Sequence, residues 1–185
     1  MMDLKTPLGR EVCTLHAGDQ ITLSGTVYTA RDEAHLKMIE EGIPFNPEGA
    51  VIYHCGPVIM NNQIIVAGPT TSARMNPLTG FVLDAGVRGL IGKGGMSPQV
   101  RNQLRDRAVY FAFTGGCANL AATCMQLEGV HYPELGMAEA VWQIKLEKLP
   151  LIVAMDTHGG DLFAGVDEHA HEAFQHMYPT STTGI

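Results

Sequence analysis

Hydrophobic residues fall in short runs separated by glycine, proline and polar turns, and the runs predict strands early in the chain and strand–helix alternation later. Glu11–Leu15 and Gln20–Tyr28, rich in Val, Ile, Thr and Leu, predict two strands around the turn Ala17-Gly18-Asp19. A helix is expected from about Arg31 to Glu41, with Ala34, Met38 and Ile39 as its apolar stripe and Gly42 as its end. Ala50–Tyr53 and Gln63–Ala67 read as strands around a hairpin at Asn61-Asn62. Gly68-Pro69-Thr70-Thr71-Ser72 reads as a strand-to-helix turn. Arg88–Ile91 reads as a short strand, and Ser97 as the cap of a helix reaching about Arg107. The continuous apolar run Ala108–Phe113 predicts a strand buried on both faces. A small-residue helix is expected next, Cys117 to Leu127, then strands at Trp142–Leu146 and Leu151–Met155 and a closing helix from Asp161 to Met177. The order predicts an α/β fold with a mixed central sheet and flanking helices.

Composition narrows the class. With 185 residues and 45% hydrophobic content the chain suffices for one domain spanning 1–185, with residues 180–185 expected as a frayed tail. No apolar run approaches the ~20 residues of a membrane helix, and the first residues lack the apolar core of a secretory signal, so a cytoplasmic protein without membrane contact is expected. The net charge of −7, without a basic stretch, argues against nucleic-acid binding. It leaves room for a small anion, because local potential outweighs net charge inside a cleft. The four cysteines, Cys13, Cys55, Cys117 and Cys124, form no close-spaced pair and are expected to be buried thiols, so no metal site is assigned to this chain. A redox use of Cys117 and Cys124, seven apart, is the remaining alternative for them.

Three segments carry candidate chemistry. In Gly68-Pro-Thr-Thr-Ser-Ala-Arg-Met75, glycine allows close backbone approach, three hydroxyls precede a predicted helix start, and Arg74 lies one turn beyond Thr70. In Gly92-Lys93-Gly94-Gly95 a pliable loop presents one cation, without the spacing of a nucleotide P-loop. In Thr29-Ala-Arg-Asp-Glu-Ala-His35, Arg31 and His35 share a predicted helix face. A dicarboxylate needs a cation at each end, and Arg31, Arg74 and Lys93 supply them if the fold brings them together. Taken singly, each segment reads as readily as a capped helix or tight turn with a solvated cation. His169, His171 and His176 read as a solvated helix. Asp156, in Met155-Asp-Thr-His-Gly-Gly-Asp161, reads as a residue that solvates its turn, with a hydrogen-bond-accepting role as the alternative, and His54-Cys55-Gly56-Pro57 as a strand end, with a place near a site as the alternative.

Taken together these segments resemble one family. Gly68-Pro-Thr-Thr-Ser-Ala-Arg-Met, Gly92-Lys-Gly-Gly-Met, Thr29-Ala-Arg-Asp with His35, and Glu134-Leu-Gly-Met-x-Glu-Ala-x-Trp142 occur in one chain over about Leu8 to Phe163. The set resembles the β subunit, or C-terminal domain, of class I (iron–sulfur) fumarate hydratases and of L-tartrate dehydratases. The resemblance implies a swivelling β/β/α domain that closes one side of an active site. A partner α subunit would carry a [4Fe–4S] cluster and the general acid, with no cofactor bound by this chain. Arg31, Arg74 and Lys93 would bind the substrate carboxylates, and Thr70 would act as the base that removes the carbon-bound proton. Reversible hydration of fumarate to malate is the implied reaction. Tartrate dehydration to oxaloacetate is the alternative, supported by the look of Phe113-Thr-Gly-Gly-Cys117 and Asp156-Thr-His-Gly159. A non-catalytic dicarboxylate-binding module is a further alternative. The isolated chain, lacking its partner, is expected to self-associate as a homo-oligomer.

Overall fold

A computed structural model describes residues 1–178; the tail expected at 180–185 lies outside the described residues. In chain order the elements are β1 (Met2–Lys5), β2 (Gln20–Thr29), α1 (Asp32–Glu41), β3 (Val51–Tyr53), β4 (Val58–Met60), β5 (Gln63–Val66), α2 (Thr79–Asp84), β6 (Gly89–Gly92), α3 (Pro98–Leu104), β7 (Val109–Ala112), α4 (Ala118–Thr123), β8 (Met125–His131), β9 (Val141–Met155) and α5 (Leu162–Met177). The fold is a mixed α/β architecture with a central sheet and flanking helices.

The sheet runs β1-β2-β3-β6-β7-β9-β8, and a further pairing of β2 with β9 closes β2, β3, β6, β7 and β9 into a ring. Four of the ring strands, β2, β3, β6 and β7, are mutually parallel, and β9 runs antiparallel to both β7 and β2. Closure depends on length. The first part of β9 pairs with β8, its last part with β7, and between Gln20 and Tyr28 it follows β2 through a bulge near Gly25. Within the ring no long strand edge is left unpaired, which removes a site of edge-to-edge association.

Strand alternation sends successive side chains to two cores. Val51, Tyr53, Ile91, Val109 and Phe111 join one cluster with Leu23, Ile144 and Val153, closed off by Leu4, Leu8 and Leu15. Ile52, Leu90 and Tyr110 turn the other way, onto Ala34 and Met38 of α1, Val82 and Leu83 of α2, and Val100 and Leu104 of α3. Strands buried on both faces are read from continuous apolar runs, and that is why Ala108–Phe113 was legible. Truncating a fully buried side chain such as Phe111 would cost about 3–5 kcal/mol.

Several local expectations are corrected. Glu11–Leu15 is not a strand but the 3-10 turn Arg10–Thr14, which satisfies its backbone locally through Leu15 N–H to Val12 O and Thr14 Oγ1 to Glu11 O. The Asn61-Asn62 turn is real, with φ of 50° and 60°, the left-handed pair that a two-residue hairpin requires. It joins β4 to β5, however, and β3 lies in the ring. The helix expected over Cys117–Leu127 stops at Thr123, because Met125 onward pairs with β9. The two late strands are one, bent near Lys148 at φ 53°. Ser97 does cap α3, its Oγ accepting from Val100 N–H at 3.3 Å, but the helix ends at Leu104. On α1 Ala34, His35 and Met38 face inward, while Ile39 is exposed. The helix α5, which carries His169, His171 and His176, has no buried residue. No helix among the described residues is long and apolar enough to cross a membrane.

Candidate functional site

Because β2, β3, β6 and β7 are parallel, their carboxyl ends share one rim, and four loops leave from it. In parallel α/β sheets this is the end at which ligands bind. Arg31 follows β2, His54–Gly56 follow β3, Lys93 follows β6, and Phe113–Gly116 follow β7.

Arg31 is the N-cap of α1, in extended conformation. The exit of β2 is fixed by Ala30 N–H donating to Tyr53 O at 3.0 Å and by Thr29 Oγ1, which donates to Ala140 O at 3.3 Å and accepts Trp142 N–H at 2.9 Å. These contacts bring Glu139 over the start of α1. Its Oε1 stands 3.2 Å from Arg31 Nε, in ion-pair range but off the line of a hydrogen bond, and its Oε2 accepts Glu33 N–H at 3.2 Å. The Arg31 side chain is 22% exposed. His35 does not share its duty: the imidazole turns inward, and its Nδ1 lies 2.7 Å from the Arg31 carbonyl oxygen.

The segment from Gly68 to Met75 differs from its expected form. Thr70 N–H donates to His54 O at 2.6 Å, Lys93 N–H donates to Thr70 O at 3.3 Å, and Ser72 N–H donates to Lys93 O at 3.0 Å. Thr70–Ser72 therefore runs beside Lys93 like an extra short strand. The chain then makes a single 3-10 turn, Ser72–Met75. The free amides of a helix start, expected here as an anion site, are not available: those of Thr70 and Ser72 are already used. Arg74 reaches Asp32 through Nε at 3.3 Å and Nη2 at 2.5 Å, with its own side chain half exposed. The Lys93 ammonium extends over the loop after β7, 3.6 Å from where a Cβ on Gly115 would stand.

All four sequence-predicted residues thus lie on one rim. Arg74 is tied to Asp32, the neighbour of Arg31; Thr70 is tied to both Lys93 and His54; and Gly56, two residues beyond His54, packs so closely on Arg31 that a Cβ there would stand 2.9 Å from its Nη1. Arg74 is exposed on this rim, and Arg31, Thr70 and Lys93 are partly exposed.

Beneath it lies a buried polar layer. His54 Nδ1 and Ser72 Oγ share a hydrogen bond of 2.8 Å, Tyr110 OH donates to Gly94 O at 2.7 Å, and the His35 and His54 rings meet edge to face at 5.7 Å. Burial drives both imidazoles below their ordinary pKa, His54 further because His35 lies beside it. For His35 the Arg31 carbonyl and Asp32 oppose the shift only in part. Burial also pushes the Cys55 thiol up to about 12. Asp32, Glu139, His54 and Ser72 all stand in quoted segments without an assigned site role, and it is their contacts across the rim that mark them.

Away from the rim, Asp156 proves to be more than a solvated turn residue. It is buried and accepts N–H groups from Ala17 at 2.8 Å, His158 at 2.9 Å and Gly160 at 2.7 Å. All four cysteines are free thiols; Cys117 and Cys124 flank α4 at its two ends. Among the described residues no three of His, Cys, Asp or Glu group as metal ligands.

Comparison with known proteins adds family relationships. A protein-family model described as "Fumarase C-terminus" matches residues 1–166. The chain is 40% identical over 182 residues to the "Putative L(+)-tartrate dehydratase subunit beta" of Methanocaldococcus jannaschii, covering 91% of this chain and 93% of that protein. It is 40% identical over 172 residues to the "L(+)-tartrate dehydratase subunit beta" of Escherichia coli K12, covering 87% and 86%. It is also 34% identical over 181 residues to a "Putative fumarate hydratase class I" of Geobacillus stearothermophilus, covering 93% of this chain and 35% of that longer protein.

Proposed function

Because this chain belongs to the Fumarase C-terminus family, we propose that it is the β subunit of a hydro-lyase that, with an iron–sulfur α subunit, interconverts fumarate and malate. The observation that carries the reading is the gathering of Arg31, Thr70, Arg74 and Lys93 at the carboxyl rim of four parallel strands. Three cations and one hydroxyl on one rim suit a four-carbon diacid held between this chain and a second protein surface. The names of the same-length relatives, each a subunit, support a two-chain enzyme. The Geobacillus relative, of which this chain matches about a third, supports the same division within one polypeptide.

In this reading Arg31, Arg74 and Lys93 bind the two carboxylates. A guanidinium grips a carboxylate through two parallel N–H···O bonds, and an ammonium serves as a compact point charge. Removing a proton from carbon beside a carboxylate places additional negative charge on that carboxylate, and cations already in position stabilise the charge as it develops. Thr70 is assigned the proton transfer at carbon. Its hydroxyl serves as a base only when its deprotonated form is stabilised, and Lys93, paired to it through the backbone, is the candidate for that role. In this reading the cluster, the departure of hydroxide and the general acid are assigned to the α subunit.

A second reading, dehydration of tartrate, is favoured by the names of the two same-length relatives. The test is reconstitution of the chain with its α subunit under anaerobic, iron-replete conditions, followed by assay of fumarate, malate and tartrate. Turnover of fumarate and malate supports the first reading and turnover of tartrate alone the second. Activity unchanged in Arg74→Ala would remove the assigned role of the rim.

A further inference from the structure

The chemistry proposed above does not use His54, yet this residue holds the rim together. It is fully buried and grips the Thr70–Ser72 segment twice, through its carbonyl oxygen to Thr70 N–H at 2.6 Å and through Nδ1 to Ser72 Oγ at 2.8 Å. Ser72 is equally buried and donates its own N–H to Lys93 O at 3.0 Å. The third member is a missing side chain. A Cβ on Gly92 would overlap Ser72 Oγ and would stand 3.1 Å from His54 Nδ1. The Ser72 hydroxyl therefore fills the space beside the residue that precedes Lys93.

We propose that His54, Ser72 and Gly92 form a clasp that positions Thr70 against Lys93, with His54 as a positioning residue for the hydro-lyase site; the inference rests on the reading of that site. An apolar pair of the same shape would fill the volume without desolvating polar groups. A buried hydrogen-bonded pair instead selects a single arrangement. His54 Nε2 has no partner among the described residues, so the imidazole satisfies only one of its two nitrogens, and the satisfied one faces Ser72. Burial favours the neutral ring, in which one nitrogen donates and the other accepts.

The distinguishing feature is which ring nitrogen matters. An asparagine side chain places an amide near the position of Nδ1, a glutamine places one near Nε2, and a leucine offers neither. The experiment compares His54→Leu, His54→Asn, His54→Gln and Ser72→Ala in the full chain, with two readouts. The first is kcat and KM of the complex with the α subunit on the diacid that the wild type turns over. The second is amide hydrogen exchange at Ser72 and Lys93 in the full chain alone. His54→Leu, His54→Gln and Ser72→Ala are expected to lower kcat roughly 10- to 100-fold and raise KM, as a misplacement of about 1 Å would. They should also speed exchange of the Ser72 amide by roughly tenfold or more. His54→Asn should stay within about threefold of the wild type in both.

If His54→Leu proves unfolded, Ser72→Ala carries the same test with a smaller change of volume. Wild-type kinetics and exchange in Ser72→Ala would overturn the clasp. So would His54→Asn behaving like His54→Leu. If the wild-type complex turns over neither diacid, the site reading fails by itself. The exchange data then decide the clasp separately: a Ser72 amide protected in the wild type and His54→Asn but exposed in the other variants supports it, and equal protection throughout overturns it.

Discussion

Arg74 and Asp32, 42 residues apart in the chain, meet through both donor faces of one guanidinium, Nε at 3.3 Å and Nη2 at 2.5 Å. Asp32 thereby occupies one of the two hydrogen-bonding edges of the guanidinium that, in the reading proposed above, binds a substrate carboxylate. Substitution Asp32→Asn is expected to relieve this competition. The pair is substantially exposed, and such pairs contribute less than about 1 kcal/mol, so KM for the diacid should fall by at most about fivefold with little change in thermal stability. Steady-state kinetics of the reconstituted complex would show it. A rise in KM would mean that Asp32 orients Arg74 for substrate rather than competing with it.

Arg31 depends on Glu139 in a different manner. Both side chains are about four-fifths covered, and the same carboxylate also caps the start of α1 through Glu33 N–H. Glu139→Gln keeps an acceptor for that N–H but leaves a largely covered guanidinium without its counter-charge. A loss of about 1–2 kcal/mol is expected, together with a higher KM, because Arg31 is no longer held at the rim. Urea denaturation measures the first effect and kinetics the second. Because the pair is mostly covered, moderate salt should change the loss little; a loss abolished by salt would place the pair at the surface instead.

How much of this was legible in the sequence depends on the range of the contact. Ala108–Phe113 declared itself as a buried strand because every residue is apolar, and Ser97 declared itself as a cap because a serine oxygen accepts an N–H of the first helical turn. Closure of the ring did not. Glu147, Lys148 and Pro150 break the apolar pattern in the middle of β9, so one long strand read as two and its pairing with β2 stayed hidden. The site obeyed the same rule. Arg31, Thr70, Arg74 and Lys93 sit in glycine- and hydroxyl-marked motifs; Asp32 and Ser72 stand in the same motifs, but the part that they, Glu139 and His54 play is identified by contacts across the rim. The helix start expected after Thr70 failed for the same reason, since the carbonyls of His54 and Lys93 took the backbone donors that would have been free.

The two buried imidazoles make stability sensitive to mild acid. His35 and His54 are held neutral, with folded-state pKa values below the ordinary 6.5. A base with a depressed pKa binds fewer protons in the folded than in the unfolded state, so stability rises with pH up to about the unfolded value and then levels off. Below pH 6.5 each histidine that stays neutral should remove about 1.4 kcal/mol per pH unit. Urea midpoints recorded from about pH 7.5 down to about pH 5 should fall in the wild type. In His54→Asn they should fall less steeply, by the contribution of one group. Parallel curves for the two proteins would show that His54 is not held neutral.

Asp156 gives the opposite case, a carboxylate whose ionised form the fold requires. Burial alone would raise its pKa, but backbone N–H groups of Ala17, Gly160 and His158 surround it and hold it below the ordinary 3.8. A depressed acid contributes stability that is present above its unfolded pKa and lost as pH falls through the folded one. The window therefore lies below pH 3.8, well separated from that of the histidines. Asp156→Ala removes all three acceptor contacts from part-buried N–H groups that water reaches in part. At about pH 7 the variant should lose about 1–3 kcal/mol by urea denaturation, and the turn from Met155 to Asp161 that launches α5 should lose its amide protection. The difference from the wild type should narrow once the wild-type carboxylate itself takes up a proton. A difference that stays constant down to about pH 2.5 would show that packing of the side chain, and not its charge, holds the turn.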